Sequence, residues 1–463
     1  VTAAPRKTAG AGAPRVVRQA LSGWGRYPVA ECLLARPERM RDAVPPADPC
    51  IPRGRGRSYG DAAVSSGHTV LLMERLNRFR AFAPRRGVLT VEAGVTVGEV
   101  QRMAVPRGWT LAVTPGTRHA TVGGCVAADV HGKNHHQDGG FGAFVNEITL
   151  VTANGAARRC GPDHDPELFH ATLGGMGLTG LITEVTLRLA PVRSAFVRVT
   201  HHPARNLDGV LDLLDGEPGD APYSVAWIDC LSGGAERGRG IVMAGRHAEP
   251  DEVPGGEGRA FQIPSRRRLA LPFDAPSRTL NRRTVGLFNA LYYRRHAGRR
   301  APETVDYDRF FYPLDGIAAW NRLYGRPGLV QYQCVLPTAE GRDGLHEVLS
   351  TLHEARVPAF LGVLKKLGAE GAGLLSFPLA GYTLAVDIPL SAPGALACAA
   401  RLDAVVTARG GRVYLAKDAC LDAARMPEMY PRLEAWREVK RKVDPEGRFR
   451  SDLGLRLGLV EGG

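Results

Sequence analysis

Leu168–Ala190 reads LFHATLGGMGLTGLITEVTLRLA, and within it Gly175-Met176-Gly177-Leu178-Thr179-Gly180 spells G-x-G-x-x-G. That fingerprint marks a dinucleotide fold only when a strand precedes it and a helix follows, so that the pyrophosphate meets a helix N-terminus. Here the order is reversed. The helical PELFHATL comes first, and the alternating LITEVTLRLA that follows is a strand. The stretch excludes a Rossmann unit and leaves a glycine loop at the start of a strand.

Upstream, NEITLVTANGAARRC reads as a β-hairpin, with Asn154 and Gly155 supplying the two positive-φ residues of a tight turn. Thr121 caps a short helix, VGGCVAADV, whose small residues let its backbone approach a ligand closely. GVLTVEAG alternates as a half-buried strand, and Thr96 caps the helix VGEVQRMAV. Residues 20–50 read as a helix and loops ending in PPADPC. Three glycine clusters, GRGRSYGDA, TPGTRHATVGG and GGMGLTG, each lie beside a strand end and together can aim backbone N–H groups at one pyrophosphate. No P-loop is present, since His131-Gly132-Lys133 lacks both the upstream glycine and the following Ser/Thr.

Beyond Pro191 the pattern changes. YSVAWIDC, GLVQYQCVL and YTLAVDIPL read as strands, interleaved with the helices GRDGLHEVLSTLHEA and GALACAARLDAVVTA, which predicts an antiparallel sheet with helices on one face. The chain divides into a flexible arm (1–19), a first domain (20–193), a second domain (194–410) and a C-terminal segment (411–463) that returns to the first. The class is α+β.

The chain carries 60 Lys+Arg against 47 Asp+Glu, and the excess is local: eleven arginines and a single acid, Asp274, fall between Arg259 and Arg300. Segment 259–300 reads either as a mobile, solvated loop ending in a short helix or as a lid that meets a phosphate-bearing or lipid-linked substrate. No nucleic-acid motif accompanies the charge. No window of about 18 apolar residues is written, and no secretory signal, which predicts a cytoplasmic chain without a transmembrane segment. The eight cysteines form no CxxC pair, so zinc, iron–sulfur and c-type haem sites have no support. His131 and His135 are four apart, but Gly132 works against a helix there and no third ligand stands nearby; no metal is expected.

The ordered runs GRGRSYGDAA, TPGTRHATVGG, DVHGKNHHQDGGFG, LFHATLGGMGLTG, FYPLD, QYQ, LSFPLAGY, RVYLAKD and RKVDPEGRFRSD extend from about Gly23 to Leu455. They resemble the decaprenylphosphoryl-beta-D-ribose 2'-oxidase family, within the vanillyl-alcohol-oxidase class of flavoproteins. The resemblance implies a two-part PCMH-type FAD-binding domain closed by the C-terminal segment, plus a substrate domain built on an antiparallel sheet with flanking helices. It implies oxidation of a sugar or cyclitol hydroxyl to a carbonyl, with hydride passing to FAD.

By the same resemblance, Gly54, Gly56, Arg57, Ser58 and Tyr59 form a first pyrophosphate loop, and Pro115, Gly116, Thr117, Thr121, Gly123 and Gly124 a second wall. Gly177 and Ile182 fall on the adenine side, and His131, Asn134 and Tyr414 at the flavin. Covalent relatives carry a histidine just before the loop serine; here Arg57 stands there, so noncovalent FAD is expected. Lys417 matches the family's active-site lysine, grouped with Tyr414 and His131 as catalytic residues. It has two chemical jobs open to it: to stabilise negative charge developing on the flavin, or, desolvated, to take the hydroxyl proton. Lys133, Trp227, Gln331, Gln333 and Lys365 match substrate positions.

Departures gather there too. Phe311 replaces a tyrosine, Thr383 an asparagine, Ala385 a cysteine and Val225 a serine. Two substrates therefore remain open: lipid-phosphate ribose, or a soluble glycoside such as an aminoglycoside intermediate of antibiotic biosynthesis. A noncatalytic flavin-binding module is the third reading, and retention of the lysines argues against it. The resemblance is compatible with a partner reductase and with peripheral membrane contact.

Overall fold

The computed structural model describes residues 16–216, 221–263, 269–299 and 301–461. Most of the expected arm, and residues 264–268 and 300 of the arginine-rich segment, lie outside the described residues. Where residues 20–50 were expected to hold a helix and loops, the structure has an antiparallel pair, Val17–Ser22 with Val29–Ala35. The reason is pairing: Val29–Ala35 also runs parallel to Thr69–Leu72, which pairs with Cys50–Arg53. Sheet partners far away in sequence override local helical propensity.

A second sheet, antiparallel, runs Phe79–Ala83, Val88–Glu92, Leu181–Pro191, Val145–Val151 and Ala157–Cys160, with Trp109–Leu111 also on Leu181–Pro191. The helix Val97–Ala104 starts at a full capping box between Thr96 and Glu99, and Thr121 caps Val122–Ala127 through the N–H of Gly124. The hairpin Val145–Val151/Ala157–Cys160 forms as expected, but its turn differs. Only Gly155 has positive φ (+81°), while the Asn154 side chain accepts from the N–H of Ala156. Asn154 side-chain bonding replaces the second left-handed residue, a substitution open to Asx residues in turns.

The third sheet has eight strands in the order Glu303–Asp306, Phe196–Ala204, Gly240–His247, Tyr223–Ile228, Phe360–Leu367, Gly381–Pro389, Leu329–Pro337 and Arg412–Val413, antiparallel throughout. Side chains alternate between its faces. One face packs against the helices Leu207–Asp215, Thr338–Glu354 and Ala395–Ala408; Tyr382, for example, donates to Asp215. The other face presents Trp227, Val363, Lys365, Gln331, Gln333, Thr383, Ala385 and Asp387, as the register requires: Trp227 pairs with Val363, Val363 with Ala385, and Ala385 with Gln333.

The C-terminal segment ties back to residues 50–66. The N–H of Cys50 donates to the carbonyl of Arg448, Arg450 returns one to Cys50, and Arg456 bridges Asp61 and Asp418. Trp436, fully buried, donates from Nε1 to the carbonyl of Ala171.

Candidate active site

One cleft is lined both by the first glycine loop and by the open face of the eight-stranded sheet. Gly54, Gly56, Arg57, Ser58 and Tyr59 line it, together with Pro115, Gly116, Thr117, Thr121, Gly123, Gly124, Gly177 and Ile182. The three glycine clusters, up to about 120 residues apart in sequence, therefore share one cavity. Close approach explains the first: a Cβ on Gly54 would lie 2.3 Å from Thr121 Oγ1, so the first two clusters touch only because residue 54 has no side chain.

Among the described residues, no protein group accepts from the backbone N–H of Arg55, Gly56, Arg57 or Ser58. Arg55 is exposed and Gly56, Arg57 and Ser58 are half-buried at the cleft wall, so this row presents free donors to an acceptor that enters the cleft. Arg57 lies with its guanidinium 4.1 Å over the Trp24 ring, and its Nε is buried without a partner. Free amides beside a cation form an anion cradle. The residues present fit a dinucleotide pyrophosphate, and on this point FAD and the geometry agree.

Titratable groups converge in the same cleft. Lys417 Nζ sits 3.8 Å over the ring of Tyr59. Lys365 Nζ lies 3.1 Å from His131 Nδ1, and the Gln333 side-chain amide lies 2.9 Å from His131 Nε2. Tyr414 stacks on Phe377 with ring centroids 4.6 Å apart and donates to the carbonyl of Ala128. Burial disfavours charge on every one of these side chains. It draws Lys417 down from 10.5 to about 7, partly offset by Asp387 and helped by repulsion from Lys365. Lys365 falls to about 8 by burial alone, and His131 is held well below its ordinary 6.5 by burial and by Lys365. The imidazole is neutral at pH 7, and Lys417 is poised between its two protonation states.

The structure brings His131, Tyr414, Gln331, Gln333, Lys365, Ala385 and Lys417 to the cleft wall. It does not bring the remaining expected residues there. Asn134 donates to the carbonyl of Ala112 and to Asp138, which holds the turn that carries His131. Lys133 bonds the carbonyl of Phe310 and lies over the Phe310 ring, so its side-chain nitrogen is engaged within the protein. Phe311 packs edge-on against Tyr223 at 4.9 Å. Thr383 accepts from Gln333 and donates to the carbonyl of Cys334, and Trp227 lies 4.6 Å from Tyr292. Of the four departures, only Ala385 borders the open cleft.

One residue of this site went unread in the sequence. Asp387 is fully buried, accepts from Tyr324 Oη at 2.7 Å and Gln331 Nε2 at 2.6 Å, and burial raises it to about 6. It is the carboxylate that supports a proton on Lys417. The signal was available: 383, 385 and 387 alternate onto one face, and an acid inside the buried run YTLAVDIPL has to be paired. Trp24, Trp320 and Asp315 line the cleft as well.

The FAD binding domain family matches residues 38–161, and the D-arabinono-1,4-lactone oxidase family matches residues 393–456. Decaprenylphosphoryl-beta-D-ribose oxidase of Mycolicibacterium smegmatis is 36% identical over 453 residues, 95% of this chain and 97% of that protein. An uncharacterized protein in the mprA 5' region of Streptomyces coelicolor is 35% identical, over 79% of this chain and all of its own length. Among solved structures, Physcomitrella patens BBE-like 1 superposes with a TM-score of 0.66 at 15% identity, covering 94% of this chain and 93% of that one, which supports the fold. The glycine clusters, the free amides and the full-length similarity lead to one conclusion: the chain belongs to the decaprenylphosphoryl-beta-D-ribose oxidase family and is an FAD-dependent oxidoreductase acting on a CH–OH group.

Proposed function

We propose that the substrate is a glycosyl phosphate carried on a lipid, and that one of its ring hydroxyls is oxidised to a carbonyl beside Lys417. The single observation that carries this reading is the company Lys417 keeps. Lys365, Gln331 and Gln333 line the same cleft, on one face of one sheet, where they can hold sugar hydroxyls and a phosphate. FAD supplies the acceptor for the hydride that leaves the carbinol carbon. Lys417, as the neutral amine, takes the hydroxyl proton while the C–O bond gains its second bond. Asp387 then stabilises the ammonium that results, and Lys365 keeps His131 neutral. Tyr414 and His131, held by the stack on Phe377 and the contact with Gln333, would form a wall for the flavin ring. We propose noncovalent FAD, because Arg57 occupies the position of the bonding histidine.

A soluble glycoside is the second reading, and Ala385 favours it, since the small side chain widens the cleft where relatives carry a cysteine. Anaerobic mixing of the yellow holoenzyme with a decaprenylphosphoryl-ribose analogue and with free aminoglycoside intermediates decides between them. Bleaching of the flavin by the lipid-linked sugar is expected. Bleaching only by the free glycosides transfers the assignment to the second reading.

A further inference from the structure

The helix Arg282–Ala297 has two unlike sides. Its inner side is anchored. Val285 is buried in one cluster with Tyr59, Trp320 and Tyr324, Asn289 Nδ2 donates to Asp229 Oδ1 at 2.7 Å, and Tyr292 meets Trp227. Its outer side carries Leu287 and Leu291, 64% and 58% exposed, one helical turn apart, with Phe288 at their edge. Arg283, Arg294 and Arg295 are exposed at the two ends of this apolar strip. A solvated helix places polar residues where these leucines stand. Among the described residues no carboxylate pairs with the three arginines; the ion pair nearest in sequence is Arg299 with Glu303.

We propose that this outer side docks on an anionic lipid bilayer, Leu287 and Leu291 entering the acyl boundary while Arg283, Arg294 and Arg295 meet lipid phosphates. Charge argues for the occupant: eleven arginines against one acid over residues 259–300 complement a uniformly anionic surface. Apolar exposure argues against nucleic acid, which would use the arginines and leave the two leucines in water. Position gives the docking a purpose. Val285 belongs to the same buried cluster as Tyr59, whose ring lies under Lys417 in the cleft, so a bound helix sets the cleft at the membrane surface. The inference deepens the lipid-linked reading of the substrate.

The test is co-sedimentation of the holoenzyme with vesicles of phosphatidylcholine alone and of phosphatidylcholine mixed with phosphatidylglycerol. Wild type is expected to sediment with the anionic vesicles and to stay in solution with the neutral ones. Arg294→Glu with Arg295→Glu is expected to lower partitioning by about tenfold or more. Leu287→Gln with Leu291→Gln is expected to lower it comparably. Both pairs lie outside the cleft, so unchanged flavin absorbance verifies the fold of each variant. Wild type left in the supernatant overturns the proposal. So does a leucine variant that partitions as wild type does, or that binds an RNA homopolymer as tightly as wild type binds vesicles. Vesicle binding is read without substrate, so flavin left unbleached by the lipid-linked sugar counts separately, against the substrate reading.

Discussion

Lys417→Arg, set beside Lys417→Ala, separates the two jobs open to this residue, because arginine keeps the cation and cannot give up its proton. Burial holds Lys417 near pH 7 where an ordinary lysine titrates at 10.5. At pH 7 about half of it is therefore neutral amine, against about 1 part in 3,000 for an unperturbed lysine. If the amine is the base, the rate of flavin reduction rises with pH through about 7 and is level above it. Both substitutions then remove that limb and slow reduction by roughly 10²- to 10⁴-fold, the usual worth of a positioned general base. The assay is anaerobic stopped-flow loss of flavin absorbance across pH, with FAD content checked for each variant. Reduction by the arginine variant within a few fold of wild type would refute the proton-acceptor role and leave charge stabilisation in its place. A pH limb near 7 that persists in the alanine variant would refute the assignment to Lys417.

Asp387→Asn removes the carboxylate that favours a proton on Lys417, so the limb of the same pH profile moves to lower pH; a move upward contradicts the pairing. Gly54→Ala places a Cβ 2.3 Å from Thr121 Oγ1. At the ~1–3 kcal/mol typical of overpacking, the FAD dissociation constant rises roughly 5- to 150-fold, read as flavin fluorescence released on dilution. Acid precipitation of wild type leaves the flavin in the supernatant; flavin retained in the pellet would contradict the reading of Arg57.

How much of the site could be read without coordinates depended on how each residue makes its contacts. The glycine clusters were legible because a backbone that must turn or approach closely writes glycine locally. Lys417 was legible through the run RVYLAKD, and its neighbours Gln331 and Gln333 through QYQ. Lys133 and Phe311 were matched to substrate positions, yet the first bonds the carbonyl of Phe310 and the second packs against Tyr223. Asp387 passed unremarked because its partners, Tyr324 and Gln331, are 63 and 56 residues away.

The sequence alone determined the class of the chain. Helix, glycine loop and strand in the order of Leu168–Ala190 exclude the Rossmann fold, and alternation and capping, set by neighbours three or four residues apart, locate the strands around Val88 and Gly381 and the helices after Thr96 and Thr121. The tertiary structure decided what no local pattern holds. It made a strand of Val29–Ala35 by giving it partners on both sides, and it set Lys417 over Tyr59 across more than 350 residues of chain. It also lowered the lysines of the cleft toward neutrality. Each of these depends on burial and on contacts distant in sequence, and both come into being only when the chain has folded.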